Sequence, residues 1–357
     1  MTILQKYATG SVLRIFAASL AAVLAIYLAV DFFERIDDFM ENRAPMSMAL
    51  EYFALRIPFV IDQVAPVAVL LAVLLTFGLM AKNNELMAFR AAGGSSYHLL
   101  APVLAFGVIA SGFLFFWGEM VVPVAASRAN AIWNHGVKNE TAYSLRERDI
   151  WIRQPGLIAR FQSLPAGETR ALGVSLNYFD EEFTLVKKYD ALRGVYGEGG
   201  WRLEEVVVQT LGDEGFYEVE HLDSVHVELD VAPDDMRRVQ RDSEEMGYFE
   251  LADYVRRMRE EGYDVTRYVV DLADKTAFPL VCLVMATLGG AMGLRGRQGE
   301  GLAVNVVLGV FLAFGYWVVH STSVSLGYAD ILPPVLAAWA ANAVFAAAGV
   351  VLVVRLD

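Results

Sequence analysis

Six long apolar runs divide the chain, at residues 12–33, 53–80, 99–124, 269–294, 302–324 and 331–354. A helix rises 1.5 Å per residue, so each run is long enough to cross the roughly 30 Å hydrocarbon core of a bilayer. The first run exceeds the apolar core of a secretory signal and lacks a convincing small-x-small cleavage site, which makes it an uncleaved first span. The polar segments between runs are short, except for residues 125–265. The pattern therefore predicts an α-helical membrane protein of three plus three spans, organised as residues 1–124, an insertion at 125–265, and residues 266–357. A weak internal echo accompanies it: Pro66 and Pro279 each open a Leu/Val/Ala-rich stretch that ends in glycine and basic residues.

Within the insertion the period changes. Residues 150–153, 159–162, 174–179, 184–189, 201–210 and 217–229 are short β-prone runs, and turn signals separate them: Gln154-Pro155-Gly156, Asp180-Glu181-Glu182, Gly197-Glu198-Gly199-Gly200 and Gly212-Asp213-Glu214-Gly215. Strands at this spacing imply an antiparallel sandwich, a jellyroll or an open barrel. Alternation such as Leu176/Tyr178 and Leu185/Lys187 gives each strand one apolar face. From residue 247 to 262 the period turns helical, with Leu251, Val255 and Met258 on one face and Gly262 as a stop.

The segment between the second and third spans, residues 82–96, is polar enough to leave the membrane and patterned enough to fold. Leu86, Phe89 and Arg90 fall at i, i+3, i+4, Asn83 or Asn84 can cap the start, and Gly93-Gly94 can end it. A bare connection needs only a few residues, whereas about a dozen here carry an acid, a base and an aromatic on a short amphipathic helix. A plain connector and a docking helix for a cytosolic partner both fit; the extra length favours docking, with Glu85, Leu86, Phe89 and Arg90 as its contact residues.

Charge orients these elements. Lys6, Arg14, Lys82, Arg90, Arg295, Arg297 and Arg355 fall on one side of the spans, and the short loops of the other carry only Arg35 and Arg43. By the positive-inside rule both termini are cytosolic and the insertion is outside. Of the net charge of −13, residues 125–265 hold −11, from 17 Lys or Arg against 28 Asp or Glu. Such acidity argues against nucleic acid, whose binding rests on clustered Lys and Arg. The 56% of hydrophobic residues exceeds the ~45–50% apolar share of soluble proteins.

Motifs for chemistry are scarce. No G-x-x-x-x-G-K-[ST], H-E-x-x-H or G-x-S-x-G occurs, and the glycine-rich stretch 293–301 lies between two spans rather than between a strand and a helix. The single cysteine, Cys282, sits in an apolar run, which leaves no intrachain disulfide and no cysteine-based metal site. Neither a cofactor nor a catalytic or metal site is expected. Ionisable groups inside spans cost on the order of 2.5–3.5 kcal/mol each at mid-membrane, so Asp62, Glu119, Asp274 and Lys275 should sit near outer ends, as interfacial residues or as lining for a substrate. Arg35, at the end of the first span, is the best-placed cation for an anionic lipid headgroup; a solvated anchor paired with Glu34 or Asp38 is the other reading.

These pieces resemble a known family. Ile36-Asp37-Asp38 after the first span, Gln63-Val64-Ala65-Pro66 with Leu70-Leu71, Asn84-Glu85-Leu86 with Ala91-Ala92-Gly93, and Gly118-Glu119-Met120-Val121-Val122-Pro123 are similar to the LptF/LptG lipopolysaccharide export permeases, the LptG branch more than the other. Ile150-Trp151-Ile152-Arg153 and Gly262-Tyr263-Asp264-Val265-Thr266-Arg267-Tyr268 extend the resemblance to nearly the whole chain. It implies six spans with an inserted periplasmic β-jellyroll-like domain, in the bacterial inner membrane. It implies the permease part of an ABC transporter that extracts lipopolysaccharide, with ATP hydrolysed by a separate subunit. The implied partners are a homologous six-span LptF-like subunit, a cytosolic LptB-like ATPase dimer, a periplasmic LptC/LptA-like bridge and lipopolysaccharide. First and fifth spans would wall the cavity, and Arg35, Asp37 and Asp62 are the expected substrate contacts. Family members often place Lys before the acid that follows the first span; here Glu34-Arg35 stands there, with Arg35 as the substitute cation. Two other readings compete: a membrane-anchored scaffold that transports nothing, which has no need of the 82–96 helix, and a mechanotransmitting ABC permease, which usually inserts its outer domain after the first span.

Overall fold

The computed structural model describes residues 3–42, 44–133, 147–154, 156–164, 169–180, 183–197, 200–212, 216–227, 229, 242–260, 263–295 and 302–356. Six helical stretches are long and apolar enough to cross a membrane: Gln5–Glu41, Met46–Lys82, Ser96–Met120, Thr266–Arg295, Val304–Tyr328 and Pro334–Val354. They are formed by α1 (Ile3–Glu41), α2 (Met46–Lys82), α4 (Ser96–Met120), the pair α7 (Thr266–Ala277) and α8 (Val281–Arg295), α9 (Leu302–Tyr328) and α10 (Pro334–Val354). The short helix α3 (Glu85–Ala91) lies between α2 and α4, and α5 (Val122–Ile132) and α6 (Tyr248–Glu260) flank the β strands in sequence. The chain forms two compact units, one of residues 1–130, 243–255 and 265–357, the other of residues 131–242 and 256–264.

In the helical unit the polar segment after the first span is not a loop. Residues 34–41 continue α1, and α2 begins at Met46, leaving a turn of only a few residues. One face of this extension is apolar: Phe39 and Tyr52 are buried with ring centroids 5.6 Å apart, and Phe32 lies 5.0 Å from Phe53. The acids Glu34, Asp37, Asp38 and Glu41 occupy the exposed face. Aromatic pairing across the hairpin thus keeps helical a stretch whose charge reads as a loop. At 39 residues α1 is about 58 Å long, nearly twice the hydrocarbon thickness.

The core runs along α2 and α8, where Val69, Leu70, Val73, Leu74 and Phe77 face Val281, Met285, Leu288 and Leu294. These are the two stretches that echo each other in sequence. Small residues let the backbones approach: a Cβ on Gly290 would fall 2.5 Å from Leu100 Cδ1, and one on Gly293 2.9 Å from Phe77 Cβ. Burial is accordingly uneven, with 78% of the most apolar stretch buried in the second and fourth spans and 11% in the first. Pro66 is absorbed in a continuous α2, whereas Pro279 falls in a 3-10 turn, Phe278–Leu280, that separates α7 from α8.

The β unit is a single antiparallel sheet of β1 (Glu147–Gln154), β2 (Leu157–Leu164), β3 (Arg170–Phe179), β4 (Leu185–Gly197), β5 (Gly200–Leu211) and β6 (Tyr217–Val227), in sequential order. The six strands fall where the sequence places them. Their order is that of a meander, where a full jellyroll would interleave two Greek keys. One row of the sheet has a distinct geometry. Phe161, Val174, Ala191, Val206 and Leu222 pair across the strands, as do Ser163, Leu172, Arg193, Glu204 and Ser224, while Gln162, Gly173, Leu192, Glu205 and Asp223 lie between the two rows. Gly173 and Glu205 in that row take positive φ, 62° and 54°. On either side the buried positions change parity: Ala159 and Phe161 but then Leu164, Leu176 and Val174 but then Ala171, Val208 and Val206 but then Leu203 and Trp201. A crease across the strands re-aims the inward face, so one sheet encloses one core. That core is filled by its own side chains, with Trp201 against Phe161 at 4.9 Å and Tyr196 at 5.5 Å. The strand alternation holds at Leu176, which is buried, and Tyr178 remains partly exposed. The Leu251, Val255 and Met258 face of α6 is buried as well. Pro155, Glu181, Glu182, Glu198, Gly199, residues 213–215 and Gly262, which mark the expected turns and stop, lie outside the described residues.

Candidate functional site

Three groups of polar side chains stand out in the helical unit, and the first is the elbow between α2 and α4. The α2 pattern persists to Asn83, whose N–H donates to Leu79 O at 2.9 Å, and Asn84 then turns the chain at φ 62°. Asn84 stands at the N-cap of α3, but its side chain makes no cap hydrogen bond; it serves by tolerating the left-handed conformation. Asn83 instead donates from Nδ2 to Glu85 Oε1 at 3.3 Å. The expected glycine stop is present, with Gly93 at φ 82° and the Gly94 N–H donating to Phe89 O at 3.0 Å. Gly94 lies under the Phe89 ring, where any Cβ would come within 2.4 Å of ring carbons.

The four expected contact residues have different surroundings. Leu86 is buried in the helical core. Phe89 is half-buried against its own turn, beside a pocket of about 200 Å³ that Gln5, Gly94, Ser95 and His98 help to line. Glu85 Oε1 accepts from Tyr7 Oη of α1 at 3.3 Å, and its Oε2 is buried without a hydrogen-bond partner among the described residues. Arg90 reaches back, donating from Nη2 to Leu294 O of α8 at 2.5 Å and to Ser96 Oγ at 3.3 Å. Met87, which the sequence reading passes over, is half exposed at 51%.

The second group lies in the α1–α2 hairpin. Arg35 Nε donates to Asp31 Oδ1 at 2.9 Å, one turn back along α1. Arg56 Nη2 approaches the same oxygen at 3.7 Å, and both Asp31 Oδ2 and Arg56 Nε are buried without hydrogen-bond partners among the described residues. Arg35 also sits 6.0 Å over the Tyr52 ring. Two guanidinium groups on one buried carboxylate make a cationic site suited to oxyanions. Asp37 does not join it; it is exposed two residues further along α1. Arg56 is absent from the sequence reading, although a lone cation in a long apolar run was a usable signal.

The third group surrounds the break in the fourth span. Asp62 on α2 faces Gly118 of α4, whose Cβ would lie 3.7 Å from Oδ1. Asp274 Oδ1 is 3.5 Å from His320 Nε2, an ion-pair distance without hydrogen-bond geometry, and His320 Nδ1 is buried without a partner among the described residues. At the break, Asn342 Nδ2 donates to Ala277 O at 2.6 Å and Tyr316 Oη donates to Asn342 Oδ1 at 3.0 Å. Pro279 removes a backbone donor there, and these side chains supply polar partners within the apolar interior. His320 stacks on Tyr316 at 5.7 Å and belongs to this network.

Six apolar spans, an all-β insertion after the third and a polar elbow after the second together define a multi-pass membrane protein with an inserted β domain. Residues 6–355 match the family model described as lipopolysaccharide export system permease LptF/LptG, and the chain belongs to that family. It is similar to the lipopolysaccharide export system permease protein LptG of Haemophilus influenzae, 22% identical over 319 residues, which are 89% of this chain and 88% of the relative. The LptG protein of Escherichia coli is likewise 22% identical over 307 residues, 82% of each chain. The similarity is thus to LptG proteins and extends across both units.

Proposed function

We propose that this chain is the LptG-like permease subunit of an ABC transporter that extracts lipopolysaccharide from the bacterial inner membrane for export to the outer membrane. It would pair with a homologous LptF-like six-span subunit and with a cytosolic LptB-like ATPase dimer, and pass lipid to a periplasmic LptC/LptA-like bridge. ATP would be hydrolysed on the partner, and the chain itself would need no cofactor. The observation that carries this reading is the elbow: a folded helix between two spans, with Glu85 bearing a buried oxygen that has no hydrogen-bond partner among the described residues, is more than a connection requires and suits a basic partner. In this reading Glu85, Leu86, Phe89 and Arg90 couple the ATPase to the spans, Glu85 and Phe89 by meeting the partner and Leu86 and Arg90 by seating the helix on the spans, while Arg35, Asp37 and Asp62 serve the lipid. Arg35 is the natural phosphate contact, because a guanidinium matches a phosphate with two parallel hydrogen bonds. The short-loop charges support cytosolic termini and a periplasmic segment 125–265.

Co-purification with a tagged copy from the native membrane tests the reading. An ATPase and a second six-span protein are expected in the eluate, and recovery of the chain alone under mild detergent would contradict it. Cysteines at residues 199 and 296 should label from opposite sides, residue 199 from outside; labelling of both from one side ends the six-span orientation.

A further inference from the structure

The two ends of α3 are held by different spans. At its start Glu85 accepts one long hydrogen bond from Tyr7 on α1; at its end Arg90 donates to the carbonyl of Leu294 and to Ser96 at the start of α4. Leu294 O is one of the last carbonyls of α8, which have no partner within their own helix and lie at the negative end of its dipole. A cation donating there is favoured by charge as well as by hydrogen bonding. The helix so capped is, with α2, part of the most buried frame of the unit: α8 packs on α2 through Gly293 and Phe77, on α4 through Gly290 and Leu100, and on α10 through Leu288 and Gly349. The first span, by contrast, is largely exposed.

We propose that Arg90 is a positioning residue that bolts the coupling helix to the inner half of the fourth span, and that it does so without touching the ATPase. This rests on the coupling role proposed above and divides that role between the two ends of α3. Force applied to α3 would pass through Arg90 into α8 and, with it, α2, α4 and α10 as one block. Tyr7 ties α1 to α3 by a hydrogen bond of 3.3 Å, longer than the 2.5 Å bond of Arg90, so the exposed length of α1 would be freer to lag behind. Movement of the nucleotide-hydrolysing partner would thus become displacement of the buried frame against the first span.

The test uses the complete complex in proteoliposomes containing lipopolysaccharide, with Arg90→Ala, Arg90→Lys and Glu85→Lys compared. Arg90→Ala is expected to keep the ATPase bound within about 2-fold and to go on hydrolysing ATP, while lipid extracted per ATP falls 10-fold or more. Arg90→Lys, which keeps a cationic donor, should recover a substantial part of the yield. Loss of the ATPase from Arg90→Ala to the extent seen for Glu85→Lys would overturn the proposal, as would an unchanged yield per ATP. A second measurement does not depend on transport: spin labels at Met87 and Val354, 51% and 70% exposed, report α3 against α10. Their distance distribution should be narrow in the parent and broad in Arg90→Ala, and equal widths would contradict the bolt. If no ATPase accompanies the unmodified chain, the coupling role itself fails, whatever the label widths show.

Discussion

The second and fourth spans differ from the first and fifth in how their apolar surface is used. Along the most apolar stretch of α2 and along α8 large side chains alternate with glycines and alanines, and most are buried within the chain. Along α1 and α9 residues of the same kind, including Ile26, Phe33, Phe311 and Phe314, remain 66% or more exposed. In lipid there is no hydrophobic gain from burying one greasy helix against another, so close packing has to supply the attraction. On α8 the glycines sit where the frame closes, since a Cβ on Gly289, Gly290 or Gly293 would meet Leu70, Leu100 or Phe77. Spans left without that packing are free to meet lipid, substrate or another subunit.

Truncating one aromatic in each region sharpens the contrast most. Phe77→Ala should lower the stability of the purified chain by about 2–3 kcal/mol, mainly through the cavity left behind, while Phe311→Ala should change it by less than about 0.5 kcal/mol. Thermal unfolding in one detergent would check both. Equal losses would mean that the fifth span packs as tightly as the second. A smaller effect is expected at the break in the fourth span, where Asn342→Leu strands Tyr316 Oη and Ala277 O at a cost of about 1–3 kcal/mol. Thr322→Val, on the exposed side of α9, removes only a bond to its own helix and should stay within about 0.5 kcal/mol. Two glycine substitutions should differ in sign. Gly10→Ala, with nothing within 4 Å of the new Cβ, should stabilise α1 by about 0.5–1 kcal/mol, whereas Gly293→Ala meets Phe77 and should destabilise by a similar amount. Matching signs would remove the distinction between frame and periphery.

Much of this was legible before any coordinates. Six spans, the inserted strands and the short helix after the second span all follow from the period of apolar positions and the placement of glycine and asparagine. What the sequence concealed were consequences of pairing. The acids after the first span read as a loop, because the burial of Phe39 and Tyr52 against each other depends on a hairpin no local pattern specifies. Similarly, Pro66 and Pro279 have the same local signature, yet only the second breaks its span. The crease in the sheet was half visible: Phe161/Leu164, Ala171/Val174 and Leu203/Val206 step by three in strands that should step by two. Among the candidate contacts, the residue types at 35 and 90 pointed to charge chemistry; Asp31, one helical turn before Arg35, was open to an i, i+4 reading, whereas the carbonyl of Leu294 comes from a neighbour that only the fold brings near.

The central claim, that the elbow couples an ATPase to lipid extraction, is tested most directly by Glu85→Lys in the reconstituted complex, with ATP-dependent release of lipopolysaccharide as the readout. The substitution sets a cation where a carboxylate is expected to meet a basic partner, at a cost on the order of 2–5 kcal/mol, and it adds a base to a loop already expected to be cytosolic. Insertion and pairing with the second six-span subunit should survive, while ATPase retention and lipid release fall about 30-fold or more. Wild-type release from a correctly inserted Glu85→Lys, Phe89→Ala double variant would reduce α3 to a connector and contradict the transporter mechanism proposed for this chain.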